Sequence, residues 1–204
     1  MLDRFAIPVI KKPLTLIASL PDKLGITANQ ITIAGFIIGL GALPAIATGN
    51  YLLGLLFIAL NRIFDGIDGA VARRQGITDC GGFLDITLDF IFYSMVPFAF
   101  ALAVPESNAV AAAFLIFSFM GTGSSFLSFA IMASKHSIDN PVYQNKSLYY
   151  MGGLTEGTET IACFVLMCLL PAHFATIAFV FGGLCWLTTA TRIWAGYQTL
   201  KSVK

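Results

Sequence analysis

Residues 64–90 read FDGIDGAVARRQGITDCGGFLDITLDF, and this stretch decides how the chain is understood. It holds five aspartates, Asp65, Asp68, Asp79, Asp85 and Asp89, and two arginines, Arg73 and Arg74. The surroundings are oily. Of 204 residues, 57% are hydrophobic and only 11% are charged, and the mean hydropathy is +0.81. Soluble domains carry about 25% charged residues. The composition therefore predicts a single integral membrane domain spanning 1–204, with no sizeable soluble part. A net charge of +1 without a basic cluster gives no reason to expect a nucleic-acid partner.

The apolar runs and their polar breaks predict an all-α membrane protein with six transmembrane helices, at 29–48, 51–75, 81–104, 109–134, 156–171 and 174–199. The breaks are TGN at 48–50, QGITD at 75–79, PESN at 105–108, the polar stretch 135–155 and PAH at 171–173. Residues 1–25, interrupted by Pro8, Pro13 and Pro21, do not resemble a signal peptide. Leu2, Phe5, Val9 and Ile10 can share a face, with Lys11 and Lys12 at the water, which predicts an amphipathic segment lying on the cytoplasmic membrane surface.

With six helices, the basic residues segregate. Arg4, Lys11, Lys12 and Lys23, then Arg73 and Arg74, then Lys135 and Lys146, then Arg192, Lys201 and Lys204 all fall on one side. Arg62 lies inside the second helix, and the opposite loops have no Lys or Arg. The positive-inside rule makes that side cytoplasmic and both termini cytoplasmic, in a multi-pass protein of the cell inner membrane.

Helical periodicity then aligns the acids. Asp65 and Asp68 stand at i and i+3, with Gly69, Ala72 and Arg73 on the same broad face; Gly81, Asp85 and Asp89 stand at i, i+4 and i+8 on the next helix. Two helices can therefore aim four carboxylates into one cavity, kept wide by Gly69, Ala72 and Gly81. Asp65 lies about 15 residues into its helix, or roughly 22 Å along a core about 30 Å thick. Insertion costs about 2.5–3.5 kcal/mol per aspartate at a helix centre, so four cost roughly 10–14 kcal/mol at most. Arg62, Arg73 and Arg74 offset part of this. Divalent cations would offset the rest, and all-oxygen ligands favour Mg²⁺ or Mn²⁺, with four carboxylates neutralising two ions. A metal pair suits phosphoryl transfer. A purely structural ion-pair cluster is a poor packing device. An ion-coupled transporter, the alternative from another class, would need ionisable groups at several depths.

The pattern Asp65-x-x-Asp68-Gly69-x-x-Ala72-Arg73, followed by Gly81-x-x-x-Asp85-x-x-x-Asp89, resembles the signature of the CDP-alcohol phosphatidyltransferase family. The likeness extends to Asn29-Gln30-Ile31-Thr32 and to the six-helix layout. Seven residues, 74–80, separate Arg73 from Gly81 where the family usually has eight, and Ala28 stands where it often has proline. The resemblance implies that a CDP-linked lipid, typically CDP-diacylglycerol, donates its phosphatidyl group to an alcohol, releasing CMP in phospholipid biosynthesis. A related CDP-alcohol phosphotransferase with a lipid acceptor is the alternative enzyme. By position, Asp65, Asp68, Asp85 and Asp89 would hold metal. Asp89 would also be the general base, and Asn29, Gly69, Ala72, Arg73 and Gly81 would hold the cytidine diphosphate. A homodimer is implied as well.

The small alcohol acceptor is less legible. Glu156 and Glu159 open the fifth helix, where they could either cap it or bind a hydroxyl or ammonium group. Arg192 on the sixth helix could receive an acceptor phosphate or carboxylate, or could snorkel to the interface. The four cysteines, Cys80, Cys163, Cys168 and Cys185, lack metal-ligand spacing and are expected to be reduced. Gly35, Gly39, the run at 121–125 and Gly182–Gly183 predict close helix packing.

Overall fold

In the computed structural model the described residues, 21, 24–136, 138 and 153–202, contain helices and no strand. From residue 24 on, the described residues form, in order, α1 (Ala28–Gly39), α2 (Ala42–Ala47), α3 (Tyr51–Gln75), α4 (Asp79–Ala103), α5 (Pro105–Lys135), α6 (Gly157–Leu169) and, after a 3-10 turn at Pro171–His173, α7 (Phe174–Lys201). The amphipathic segment expected before residue 25 lies almost wholly outside the described residues, as do Lys146 and Lys204.

Among the described residues, four segments are long and apolar enough to cross a membrane: Ala28–Ala47, Asp79–Ala103, Pro105–Lys135 and Pro171–Lys201. Helix α3 has 25 residues but carries Arg62, Asp65, Asp68, Arg73 and Arg74. Helix α6 has only 13 residues, roughly 20 Å of rise against a hydrocarbon core about 30 Å thick.

The boundaries correct the sequence reading in three places. The first predicted helix is two pieces. Pro44 has no N–H to donate to the Leu40 carbonyl, and Leu43 N–H bonds that carbonyl instead at 3.2 Å. The PESN stretch is not a loop. Val104 alone breaks the chain, and Pro105 starts α5 at a helical position where proline needs no donor. Helix α4 begins at Asp79 because Thr78 caps it, accepting from Gly81 N–H at 3.1 Å. The short α3–α4 turn depends on Gly76, whose φ of 106° disfavours any side chain.

Helix α5 packs along α7 and α4, while α1 packs on α3, and α2 wedges between α3 and α4. The core between them is aromatic. Phe100 stacks on Phe174 with ring centroids 4.5 Å apart and on Tyr51 at 5.5 Å. Phe92, Phe164, Met167 and Leu115 are fully buried around them. Small residues permit this closeness. A Cβ on Gly35 would lie 2.5 Å from Phe64 Cβ, one on Gly123 2.6 Å from the Phe90 ring, and one on Gly182 2.6 Å from the Phe114 ring. Gly183 faces open space instead. All four cysteines are free; Cys163, Cys168 and Cys185 are buried, and Cys80 is exposed. Leu52, Phe83, Val110, Met120 and Trp194 project apolar surface outward, as lipid contact requires.

Candidate active site

The site forms where α1, α3 and α4 meet. Helix α1 enters through a reciprocal capping box. Thr27 N–H donates to Gln30 Oε1 at 2.9 Å, and Gln30 N–H donates to Thr27 Oγ1 at 3.3 Å. The box starts the helix without a proline at position 28 and sets Asn29 in its first turn. Across the gap, Gln75 at the end of α3 donates to the Ile26 carbonyl at 3.0 Å, tying the two helix ends together.

Helices α3 and α4 bring the acids into register. One oxygen each from Asp65, Asp68 and Asp85 lies within 4.8 Å of the others. Asp68 is 5% exposed, and its Oδ2 is buried with no hydrogen bond. An oriented but unsatisfied carboxylate oxygen in an all-oxygen cluster fits a divalent cation. These three residues would hold it.

Asp89 stands apart from that triad. Arg62 Nη2 donates to Asp89 Oδ1 at 2.7 Å, and Arg62 Nη1 lies 3.6 Å from Asp65 Oδ2. The guanidinium also donates through Nε to Asn61 Oδ1 at 2.9 Å and through Nη1 to the Tyr93 hydroxyl at 3.2 Å. It packs over the Phe92 and Tyr93 rings at 5.1 and 5.3 Å. Sequence reading counted Arg62 among the charges offsetting the acids but missed this role. The signal was available, since Arg62 precedes Asp65 by three residues and so shares its face, and intramembrane charges pair with one another.

A cavity of about 720 Å³ opens beside the acids. Asn29, Gly69, Ala72, Arg73 and Gly81 line it together with Asp65, Asp68, Asp85 and Asp89. The glycines give it room. A Cβ on Gly81 would lie 3.0 Å from Asn29 Oδ1 and 3.1 Å from Thr78 Oγ1, whereas one on Gly69 would meet only Arg73 Nη1, at 3.4 Å. Gly81 and Gly82 both face the cavity.

A second cavity, of about 150 Å³, adjoins the first through Phe126 and Gly157, which line both. Arg192 borders it and is 8% exposed. Its Nη1 donates to the Thr122 carbonyl at 3.3 Å, and its guanidinium lies 5.7 Å from the Phe126 ring centroid. Burial between helices rules out the snorkelling anchor. Glu156 and Glu159 close a capping box at the start of α6: the Glu156 side chain accepts from the Glu159 N–H, and Glu159 Oε2 accepts from the Glu156 N–H at 3.1 Å. Glu156 Oε1 also accepts from Gly153 N–H at 2.9 Å. Glu156 lines the second cavity; Glu159 does not.

Residues 25–194 match the CDP-alcohol phosphatidyltransferase family. The chain belongs to that family. As a CDP-alcohol phosphatidyltransferase it is a membrane enzyme of phospholipid synthesis, transferring a phosphatidyl group from a CDP-linked lipid to an alcohol with release of CMP. It is 60% identical over all 204 residues to the inner membrane protein YnjF of Escherichia coli (strain K12), covering 99% of that protein. It is 40% identical over 96 residues to the archaetidylinositol phosphate synthase of Pyrococcus horikoshii, covering 47% of this chain and 51% of the relative. Crystal structures of the Mycobacterium tuberculosis phosphatidylinositol phosphate synthase share the fold. The form with CDP-DAG bound has a TM-score of 0.66 at 20% identity, covering 90% of this transferase and 93% of that chain. The form in complex with manganese and citrate has a TM-score of 0.68 at 21% identity, covering 90% and 88%.

Proposed function

We propose that this phosphatidyltransferase uses CDP-diacylglycerol as donor and a small anionic alcohol as acceptor, at the cytoplasmic face of the cell inner membrane. The single observation that carries the reading is the triad of Asp65, Asp68 and Asp85 beside the glycine-widened cavity, with Asp68 Oδ2 unsatisfied. The CDP-DAG bound to a protein of the same fold supports the donor. The inner-membrane relative supports the location, and the segregation of Lys and Arg supports six spans with both termini cytoplasmic. The resemblance supports a homodimer.

The residues divide the work by chemistry. Asn29, Gly69, Ala72, Arg73 and Gly81 receive the cytidine diphosphate. The glycines let backbone approach the phosphates, and Arg73 answers their charge. Asp65, Asp68 and Asp85 would hold Mg²⁺ or Mn²⁺, while Asp89, hydrogen-bonded to Arg62, is left to act as the base. Bound ions would stabilise charge on the diphosphate and on the departing CMP. Asp89 accepts the proton from the acceptor hydroxyl. The hydroxyl oxygen bonds to the phosphorus nearer the lipid, and the bond from that phosphorus to CMP breaks.

On the acceptor side the three candidate residues separate. Both glutamates are engaged in capping α6, so their acceptor role is the weaker proposal. Arg192, buried at the second cavity, fits a phosphate or carboxylate on the acceptor.

The test is CMP release by the purified enzyme in detergent–lipid micelles. The donor is CDP-diacylglycerol with Mg²⁺ or Mn²⁺, against a panel of serine, glycerol 3-phosphate, inositol phosphate, inositol and phosphatidylglycerol. Release that requires metal and one acceptor, and that disappears in Asp89→Asn, is expected. Failure of the folded enzyme to bind CDP-diacylglycerol would overturn the donor assignment.

A further inference from the structure

We infer that Arg62 is a positioning residue for Asp89: it holds one carboxylate oxygen of the base and thereby keeps that side chain out of the metal triad and turned to the acceptor. The inference rests on the proposed role of Asp89 as general base.

Three observations support it. The first is geometric separation. Asp65, Asp68 and Asp85 converge within 4.8 Å, while Asp89, one turn beyond Asp85 on α4, is held at 2.7 Å by Arg62. Helical spacing alone would let Asp89 join the cluster; Arg62 also reaches Asp65 Oδ2, but at 3.6 Å, so the direct 2.7 Å hydrogen bond distinguishes the fourth acid from the other three. Arg62 Nη2 engages the Oδ1 oxygen of Asp89.

The second is that Arg62 is itself fixed. Asn61 Oδ1 accepts from its Nε, the Tyr93 hydroxyl accepts from its Nη1, and the Phe92 and Tyr93 rings flank it. Asn61 is in turn anchored, its Nδ2 donating to the Gly35 carbonyl at 3.1 Å. A chain of contacts thus runs from the α1 backbone through two α3 side chains to a carboxylate on α4. A planar guanidinium with five donors can make these bonds together; an ammonium cannot.

The third is location. Arg62 and Asn61 close the deep side of the acids around a void of about 10 Å³, room for roughly one water. The substrate cavity lies on the other side and does not include Arg62 among its lining. Arg62 therefore acts on the reaction through Asp89 rather than by touching donor or acceptor.

The test is a double-mutant cycle of Arg62→Met and Asp89→Asn, read as kcat, donor KM and CDP-diacylglycerol binding. Misplacement of a reacting group by about 1 Å costs about 10²-fold, so Arg62→Met is expected to lower kcat about 10²-fold with donor binding and donor KM unchanged. In the Asp89→Asn background it is expected to cause no further loss. Multiplying losses, or parallel loss of donor binding, would assign Arg62 a merely structural role and overturn the inference. If Arg62→Met fails to fold, Arg62→Lys decides. This variant keeps the charge and loses the fork, and about a tenfold fall in kcat at constant donor KM is expected. Wild-type kcat in Arg62→Lys would overturn the inference. Full activity of Asp89→Asn itself would instead overturn the general-base reading, which separates the two failures.

Discussion

Asn61 donates its side-chain amide to the carbonyl of Gly35, 3.1 Å away on the neighbouring helix, deep in the interior. The contact locks α1 against α3 at a point where a Cβ on Gly39 would also meet Asn61 Nδ2 at 2.9 Å. An amide is thus built into a close contact between α1 and α3. Replacing it by Asn61→Ala leaves the Arg62 Nε without its acceptor. An unmade buried hydrogen bond costs about 1–3 kcal/mol. The thermal midpoint of the detergent-solubilised protein should fall accordingly, and an unchanged midpoint would remove Asn61 from the packing argument.

The triad and the base should separate in metal binding. Asp65→Asn, Asp68→Asn and Asp85→Asn are each expected to weaken Mn²⁺ binding and to abolish CMP release. Asp89→Asn is expected to keep Mn²⁺ binding while turnover falls about 10²–10⁴-fold, the range for loss of a general base. Calorimetric titration of Mn²⁺ checks both halves. Chelation should silence the wild-type enzyme, with activity restored by Mg²⁺ or Mn²⁺.

Gly81 should govern donor affinity. A methyl there would press on Asn29 Oδ1 and Thr78 Oγ1 at 3.0 and 3.1 Å. Gly81→Ala is expected to raise the donor KM about tenfold, equivalent to about 1.4 kcal/mol. Gly69→Ala, whose added Cβ meets only Arg73 Nη1 at 3.4 Å, should be milder. Equal effects at both positions would argue against the cradle as described.

The acceptor side makes an opposed pair. Arg192→Ala should raise the acceptor KM and leave the donor KM unchanged. Glu159→Ala should destabilise α6 by about 0.5–2 kcal/mol, the worth of a helix cap, without a selective acceptor effect. Glu159→Gln keeps a side-chain acceptor for the Glu156 N–H and should be nearly silent. A selective acceptor effect from Glu159→Gln would restore that glutamate as a recognition residue.

The register of the acids was legible because it depends only on helical period. Asp65 with Asp68, and Gly81 with Asp85 and Asp89, share faces in any helix. Helix rotation and crossing are not written in one sequence, so the hydrogen bond from Arg62 to Asp89 was not legible, nor was the burial of Arg192 of α7 against α5. The split at Leu40–Gly41 could have been read from Pro44, which removes a donor inside an otherwise apolar run. The break at Val104 was misjudged because PESN looks like a loop, whereas proline and an acid suit the first turn of a helix. Glutamate is an uncommon N-cap, which left capping at Glu156 as one of two readings rather than the preferred one.

The joined cavities, sharing Phe126 and Gly157 as a common wall, also bear on the order of events. A donor lodged in the larger chamber would stand across the boundary with the smaller one. An acceptor arriving afterwards would then meet its target in a compartment partly walled by the first substrate. Such an arrangement favours ordered kinetics, with intersecting initial-rate plots and CMP competing against donor rather than acceptor. It would also limit futile hydrolysis, because the space from which water could attack is the space the acceptor fills.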